Sequence, residues 1–271
     1  MSYLLAKASP LFGSVESAGI YLLPWLSTLF VPLVVVYGWR IGHPAAGLMG
    51  ALVGVFALDY YRRTSPGWVD TDALNLFFPW LASLLILFAA SEQKRWRLYL
   101  LSGLLGVTLF LYFRWYDSKA GLSLAYWVTL CAALVIHGHR LRAVAISLLI
   151  CVVCSHPVQL MEAVGSVASM ADRYLLGQTP AIQLGAASQW FPNVMLTVSE
   201  QQQGRPLFPF ELVLSQSWLT LLGCGGFILL CWRRWRQVIP LAPLMAIAAL
   251  TLTGRPRFAM YLAPLAGMGL G

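Results

Sequence analysis

Long apolar stretches separated by short polar clusters set the pattern of the chain. A helix crosses the hydrocarbon of a bilayer with about 20 apolar residues, and with somewhat fewer inside a bundle. On that measure the spans are Ser17–Trp39, Pro44–Tyr60, Ala73–Ala90, Leu98–Phe113, Leu122–His137, Leu141–Gln159, Val213–Trp232, Val238–Thr253 and one beginning at Phe258. The pattern predicts an all-α, polytopic membrane protein with about eight or nine transmembrane helices. One long external loop, residues 160–212, interrupts it, and no soluble domain is predicted. Gly50 and Gly54 lie one helical turn apart in the second span, a spacing that lets helix backbones approach closely. The opening run Met1–Phe12 is too short to span. It also lacks the basic region, apolar stretch and small-residue cleavage site of a signal peptide, in that order.

Within the long loop, Glu162, Ser166, Ser169 and Arg173 recur at helical spacing among Val164, Val167, Ala168, Ala171 and Leu175. This predicts a helix over Met161–Leu176 lying on the membrane surface. The later stretch Gln201-Gln202-Gln203-Gly204-Arg205-Pro206 is polar and broken by Gly and Pro. Such a stretch is expected to be mobile, as lids and substrate clamps are.

Composition supports the membrane reading. Apolar residues make up 59% of the chain and charged residues 10%, where soluble domains carry about 25% charged residues. The net charge of +8 does not point to nucleic acid, because Lys and Arg cluster between apolar runs and form no basic stripe interleaved with aromatics. Arg40, then Lys94, Arg95 and Arg97, then Arg140 and Arg142, then Arg233, Arg234 and Arg236 occupy alternate loops that hold a single acid, Glu92. These loops are assigned to the cytoplasm. Asp59, Asp70, Asp72, Asp117, Glu162, Asp172, Glu200 and Glu211 fall on or near the opposite side. Cys131, Cys151, Cys154, Cys224 and Cys231 all sit in apolar runs. No second ligand pair follows Cys151 and Cys154 at metal spacing, so these read as small packing residues.

No span carries a charged residue near its centre, which argues against a transporter or proton pump. The candidate chemistry lies at span ends. Asp70 and Asp72, two residues apart before a helix, suit a hard divalent cation with oxygen ligands. Asp72 at that position also suits a plain cap on the span beginning at Ala73. Glu200, in Thr197-Val198-Ser199-Glu200, lies in the long loop and alone reads as a solvated residue. Arg257, in Arg255-Pro256-Arg257-Phe258, suits either snorkelling to headgroups or gripping a phosphate with its planar fork. Tyr116, in Trp115-Tyr116-Asp117, suits the interfacial aromatic belt.

Taken in order, these motifs resemble the catalytic subunit family of oligosaccharyltransferase in its single-subunit bacterial form. YYRRTSPGWVDTDALNLFFP (Tyr60 to Pro79) looks like the family's second acidic motif with its preceding Arg-Thr-x-x-Gly. TVSE (Thr197 to Glu200) is similar to its Thr/Ser-x-x-Glu motif in the long external loop, and RPRFAMYLAP (Arg255 to Pro264) to the Arg-Phe segment that follows. The resemblance implies transfer of an oligosaccharide from a polyprenyl diphosphate carrier to Asn in an Asn-x-Ser/Thr acceptor, with Mg²⁺ or Mn²⁺ as cofactor. It implies a multi-pass protein of the cell membrane whose active face is periplasmic or extracytoplasmic. It further implies Asp70 as a metal ligand and Asp72 as a ligand or a partner oriented by Arg63. Glu200 would bind the metal and contact the acceptor amide, Arg257 would hold the lipid diphosphate, and Tyr116 would lie near the carrier. Relatives carry an earlier loop with another essential Asp and a soluble domain with Trp-Trp-Asp. The resemblance therefore implies a chain cut at both ends and inactive alone. Kindred readings are a transferase using single polyprenyl-phosphate sugars, a non-catalytic membrane subunit, and a lipid-linked glycan transporter.

The alternation of loops predicts that single cysteines placed at 95, 142 and 234 on a background lacking the native five react from the cytoplasm. Those at 70, 200 and 257 should react from outside. Labelling of positions 70 and 200 from opposite sides would rule out a shared site.

Overall fold

The computed structural model describes residues 2–66, 71–115, 120–156, 208–253 and 258–271. Every regular element among them is helical, as expected for a backbone that must satisfy its own hydrogen bonds in an apolar medium. The helices are α1 (Ser2–Phe12), α2 (Val15–Ser27), α3 (Phe30–Arg40), α4 (Pro44–Phe56), α5 (Leu58–Thr64), α6 (Phe77–Ser91), α7 (Arg95–Trp115), α8 (Ala120–Ile136) and α9 (Leu141–Cys154). After the long loop come α10 (Phe208–Leu214), α11 (Ser217–Val238), α12 (Ala242–Ala249) and α13 (Ala259–Leu270). The surface helix expected over Met161–Leu176 and the stretch from Gln201 to Pro206 lie outside the described residues.

Local chemistry sets the boundaries. Ser14 caps α2, its Oγ accepting from the Ser17 N–H at 3.0 Å. Pro32 has no N–H to offer the Thr28 carbonyl, which instead accepts from Val31 at 3.0 Å, and the first span divides there into α2 and α3. Gly42, at φ +83°, turns the chain out of α3, and Pro44 opens α4. Ala57 is extended (φ −55°, ψ 125°) and bends α5 by 59° from α4.

Among the described residues, four helical runs are long and apolar enough to cross a membrane: Val15–Arg40, Asp72–Ser91, Arg95–Trp115 and Ser217–Leu252. The bent pair α4–α5 makes five if counted as one span. The described residues do not confirm the expected count of eight or nine. Gly121–Ile136, Leu141–Cys154 and Ala259–Leu270 are apolar but only 10–17 residues long. The predicted spans Val213–Trp232 and Val238–Thr253 fall on either side of a break within the helical run Ser217–Leu252. That run is interrupted at Arg234, whose φ of −122° and ψ of 29° are not helical. Direction is fixed by two contacts, Gly223 with Ala266 and Gly226 with Gly269, so α11 and α13 run parallel. The segment between them must therefore double back along the bundle. Ser215, at φ 57°, separates α11 from α10, which occupies the end of the predicted loop.

Packing is tightest where small residues meet. A Cβ on Gly50 would stand 2.8 Å from the Pro264 carbonyl, and one on Gly267 would stand 2.6 Å from the Met49 carbonyl. A Cβ on Gly38 would strike the Gly47 backbone, and one on Gly106 the Cys151 carbonyl. Backbones this close draw dispersion energy from contact rather than from water release, which lipid does not offer. One core joins α3, α4, α11 and α13; a second joins α7, α8 and α9; α6 contributes to both. All five cysteines are free, and Cys151 is buried against α7. Leu100, Leu104, Val107 and Leu111 lie exposed along one stripe of α7, a surface suited to lipid.

The two ends of the bundle differ. At one end, Arg40 bonds Ser91 at 3.1 Å, His139 meets the Ala90 carbonyl at 3.0 Å, and Tyr37 donates to the Gln237 carbonyl at 2.7 Å. All the basic loops named above meet here. Glu92 is held below the usual carboxylate range by the Lys94 backbone N–H and then by Arg97. The opposite end carries Tyr60, Arg63, Asp72 and Glu211.

Gly226→Leu should disrupt the α11–α13 contact, where its Cβ would fall on the Gly269 carbonyl. A loss of about 1–3 kcal/mol or more is expected. Gly225, with open space around it, should accept Leu with little change. Melting of the two variants in detergent micelles separates them; equal behaviour would contradict the packing.

Candidate functional site

The acid end is built around α5 and the short 3-10 turn Thr71–Leu74. Tyr60 ties the two together. Its hydroxyl, which has one hydrogen to donate, lies 2.8 Å from the Ser27 carbonyl and 3.1 Å from the Ala73 carbonyl. Its ring packs edge-on against Phe30 at 5.6 Å. The turn carrying Asp72 is thereby fixed to both α2 and α5.

On that support sits an ion-paired cluster. Arg63 donates from Nη1 to Asp72 Oδ2 at 2.8 Å and from Nε to Asp59 Oδ1 at 3.1 Å. Asp59 and Arg63 are one helical turn apart on α5, so they share a face. Asn75 donates from Nδ2 to the other Asp72 oxygen at 2.5 Å, and its backbone N–H donates to the Asp72 carbonyl at 3.0 Å. Asp72 is 1% exposed and Arg63 6%. They are the buried charged side chains among the described residues. A charge is kept in such surroundings only when paired and hydrogen-bonded, and both conditions hold here.

The geometry corrects one reading of Asp72. It does not cap the following helix: α6 begins at Phe77, with Leu76 in the capping position and no side-chain cap. The carboxylate turns toward Arg63 and Asn75. The structure therefore brings Arg63 and Asp72 together, while Asp70, Tyr116, Glu200 and Arg257 lie outside the described residues. Among the described residues no group of three His, Cys, Asp or Glu gathers as a metal site. Asp72 nevertheless presents an anchored hard oxygen donor. That donor is of the kind a divalent cation such as Mg²⁺ or Mn²⁺ takes.

Sequence reasoning missed Tyr60 and Asn75 as members of the site. The available signal was Asn75 itself, a polar amide three residues beyond Asp72 at the head of an apolar stretch, which needs a partner when buried.

Apolar helices packed by small residues, with an ion-paired acidic motif buried at one end, define a helical membrane protein with a polar site at a helix junction. The family model described as oligosaccharyl transferase STT3, N-terminal, matches residues 1–268, and the chain belongs to that family. It is similar to the undecaprenyl-diphosphooligosaccharide–protein glycotransferase of Campylobacter jejuni, at 29% identity over 125 residues in both serotype O:2 and strain RM1221. That stretch is 46% of this chain and 17% of the length of those relatives.

Arg63→Leu would leave Asp72 and Asp59 without their shared guanidinium and should cost about 3–5 kcal/mol. The double variant Arg63→Leu/Asp72→Leu should recover most of that loss, because it also removes the buried carboxylate. Denaturant unfolding in mixed micelles provides the measurement. Equal losses in the single and double variants would mean that the pair does not govern stability.

Proposed function

We propose that the chain forms the membrane core of a glycosyltransferase of the oligosaccharyltransferase type. It would move an oligosaccharide from a polyprenyl diphosphate carrier to the side-chain amide of Asn in Asn-x-Ser/Thr acceptors. The observation that carries this reading is the buried Arg63–Asp72–Asn75 cluster, set within the acidic motif of a chain that belongs to this family. The site faces the periplasmic or extracytoplasmic side in this proposal, since the basic loops gather at the other end.

In the proposed arrangement Asp70 and Glu200 hold the divalent cation, with Asp72 beside them as ligand or orienting partner. When bound, the cation offsets the repulsion of these carboxylates and lets them face one substrate. The amide nitrogen of Asn is a poor nucleophile because its lone pair is delocalised. Carboxylate oxygens that accept its hydrogens favour a twisted amide with a more available lone pair. Glu200 takes that role. The leaving diphosphate gains charge, and Arg257 stabilises it with two parallel N–H donors. Tyr116 lies near the carrier. Arg63 acts indirectly: it fixes Asp72. The loop bearing Glu200 opens to admit a peptide and closes over it.

Transfer of a labelled lipid-linked glycan to an Asn-x-Thr peptide, measured in membranes of the cells that make the protein, tests the proposal. Asp70→Ala and Glu200→Ala should each lower transfer by at least about tenfold, equivalent to roughly 1.4 kcal/mol of transition-state stabilisation. EDTA should abolish it, with Mn²⁺ restoring it. Full transfer in EDTA, or an unaffected Glu200→Ala variant, would overturn the mechanism.

A further inference from the structure

The basic end contains a built feature that the transfer reaction does not use. A groove of about 320 Å³ opens between α3, α6 and α7. Its mouth is flanked by guanidinium groups from two helices. Arg40, in the last turn of α3, donates to Ser91 at 3.1 Å and lies 5.8 Å over the Phe88 ring. Arg97, in the first turn of α7, lies 5.2 Å over Trp96 and 3.7 Å from Glu92. These contacts hold both cations at the groove. Arg carries five N–H donors, so each retains donors beyond the contacts described.

The floor has the opposite character. Phe88, Leu100 and Leu101 line it, and Leu100 continues into the exposed stripe of Leu104, Val107 and Leu111 along α7. Trp39 and Trp96, 72% and 63% exposed, flank the same end, where indoles favour the headgroup layer. Glu92 is the one acid in the groove, and its carboxylate is engaged by Lys94 and Arg97. The local balance therefore stays positive, with Lys94 and Arg95 exposed beside it.

Cations at the mouth of an apolar channel that runs down a lipid-facing helix match a ligand with an anionic head and an apolar tail. We propose that this groove binds an anionic phospholipid of the leaflet at the basic end. Its phosphate lies by Arg40 and Arg97, and one acyl chain follows Leu100 and Leu104. The planar forks suit phosphate oxygens. The groove and the stripe, rather than diffuse loop charge, supply the selectivity.

The probe is phosphatidylglycerol against phosphatidylcholine, counted on the full chain by intact-protein mass spectrometry after release from mixed-lipid nanodiscs. The wild type should retain phosphatidylglycerol over phosphatidylcholine by roughly tenfold, on the scale expected for two basic groups near a lipid phosphate. Arg40→Gln/Arg97→Gln should abolish the preference. Arg233→Gln/Arg236→Gln, with the same charge loss outside the groove, should keep it. Leu100→Ser, at an exposed position that leaves folding and charge intact, should lower retention. Loss of preference in the Arg233/Arg236 control would show diffuse attraction and overturn the proposal. So would unchanged preference in the Arg40/Arg97 variant. Competition by tail-free glycerol phosphate as strong as by the lipid would do the same.

Discussion

Close contact between helix backbones is the constraint on which the rest of this structure depends. In a lipid setting, apolar side chains gain little by meeting each other instead of acyl chains, so association rests on how nearly the backbones approach. Gly38 and Gly47 join α3 to α4, Gly50 and Gly267 join α4 to α13, and Gly226 and Gly269 join α13 to α11. Each contact has room for a hydrogen and none for a methyl group. The four helices form a scaffold, and α5 continues from α4 after the bend at Ala57. The orientation of Arg63 thus traces back to glycines several turns away.

The scaffold makes a buried ion pair tolerable. An Arg and an Asp at 6% and 1% exposure would be poor company for hydrocarbon if either were loosely held. Here Arg63 spans two carboxylates, Asn75 occupies the second oxygen of Asp72, and Tyr60 pins the turn on which Asp72 sits. Replacement of such a pair by apolar residues is often stabilising. Its place in the acidic motif fits a role in positioning neighbouring groups better than a role in stability.

Much of this was legible in the sequence, at different levels of detail. Apolar runs and basic clusters gave helix positions and the sorting of charge, because both follow from burial of backbone and the cost of moving cations across a bilayer. The motif from Tyr60 to Pro79 pointed to Asp72 and to Arg63 as its partner. Spans were less legible. The two apolar runs that meet near Arg234 were legible as separate, but a window of apolar residues does not distinguish a full crossing from the short helix Leu141–Cys154. The first span hid its division at Pro32, since α2 and α3 are equally apolar on both sides. Tyr60 and Asn75 escaped notice because their importance comes from carbonyls and carboxylates that only the fold brings near. Tyr60 meets Ser27 from 33 positions away.

The parallel course of α11 and α13 bears on how the protein is made. Tyr37 finds the Gln237 carbonyl 200 positions later in the chain, and the face of α4 that carries Gly50 is covered by Pro264 and Met268, later still. During synthesis the early helices must therefore wait in the bilayer with their glycine face against lipid until the returning segment has threaded past α11. Lipid fills the place of α13 in that interval. Completion of the bundle is an exchange of acyl chains for a helix, a late and non-local step of the kind that slows folding and leaves intermediates open to wrong partners.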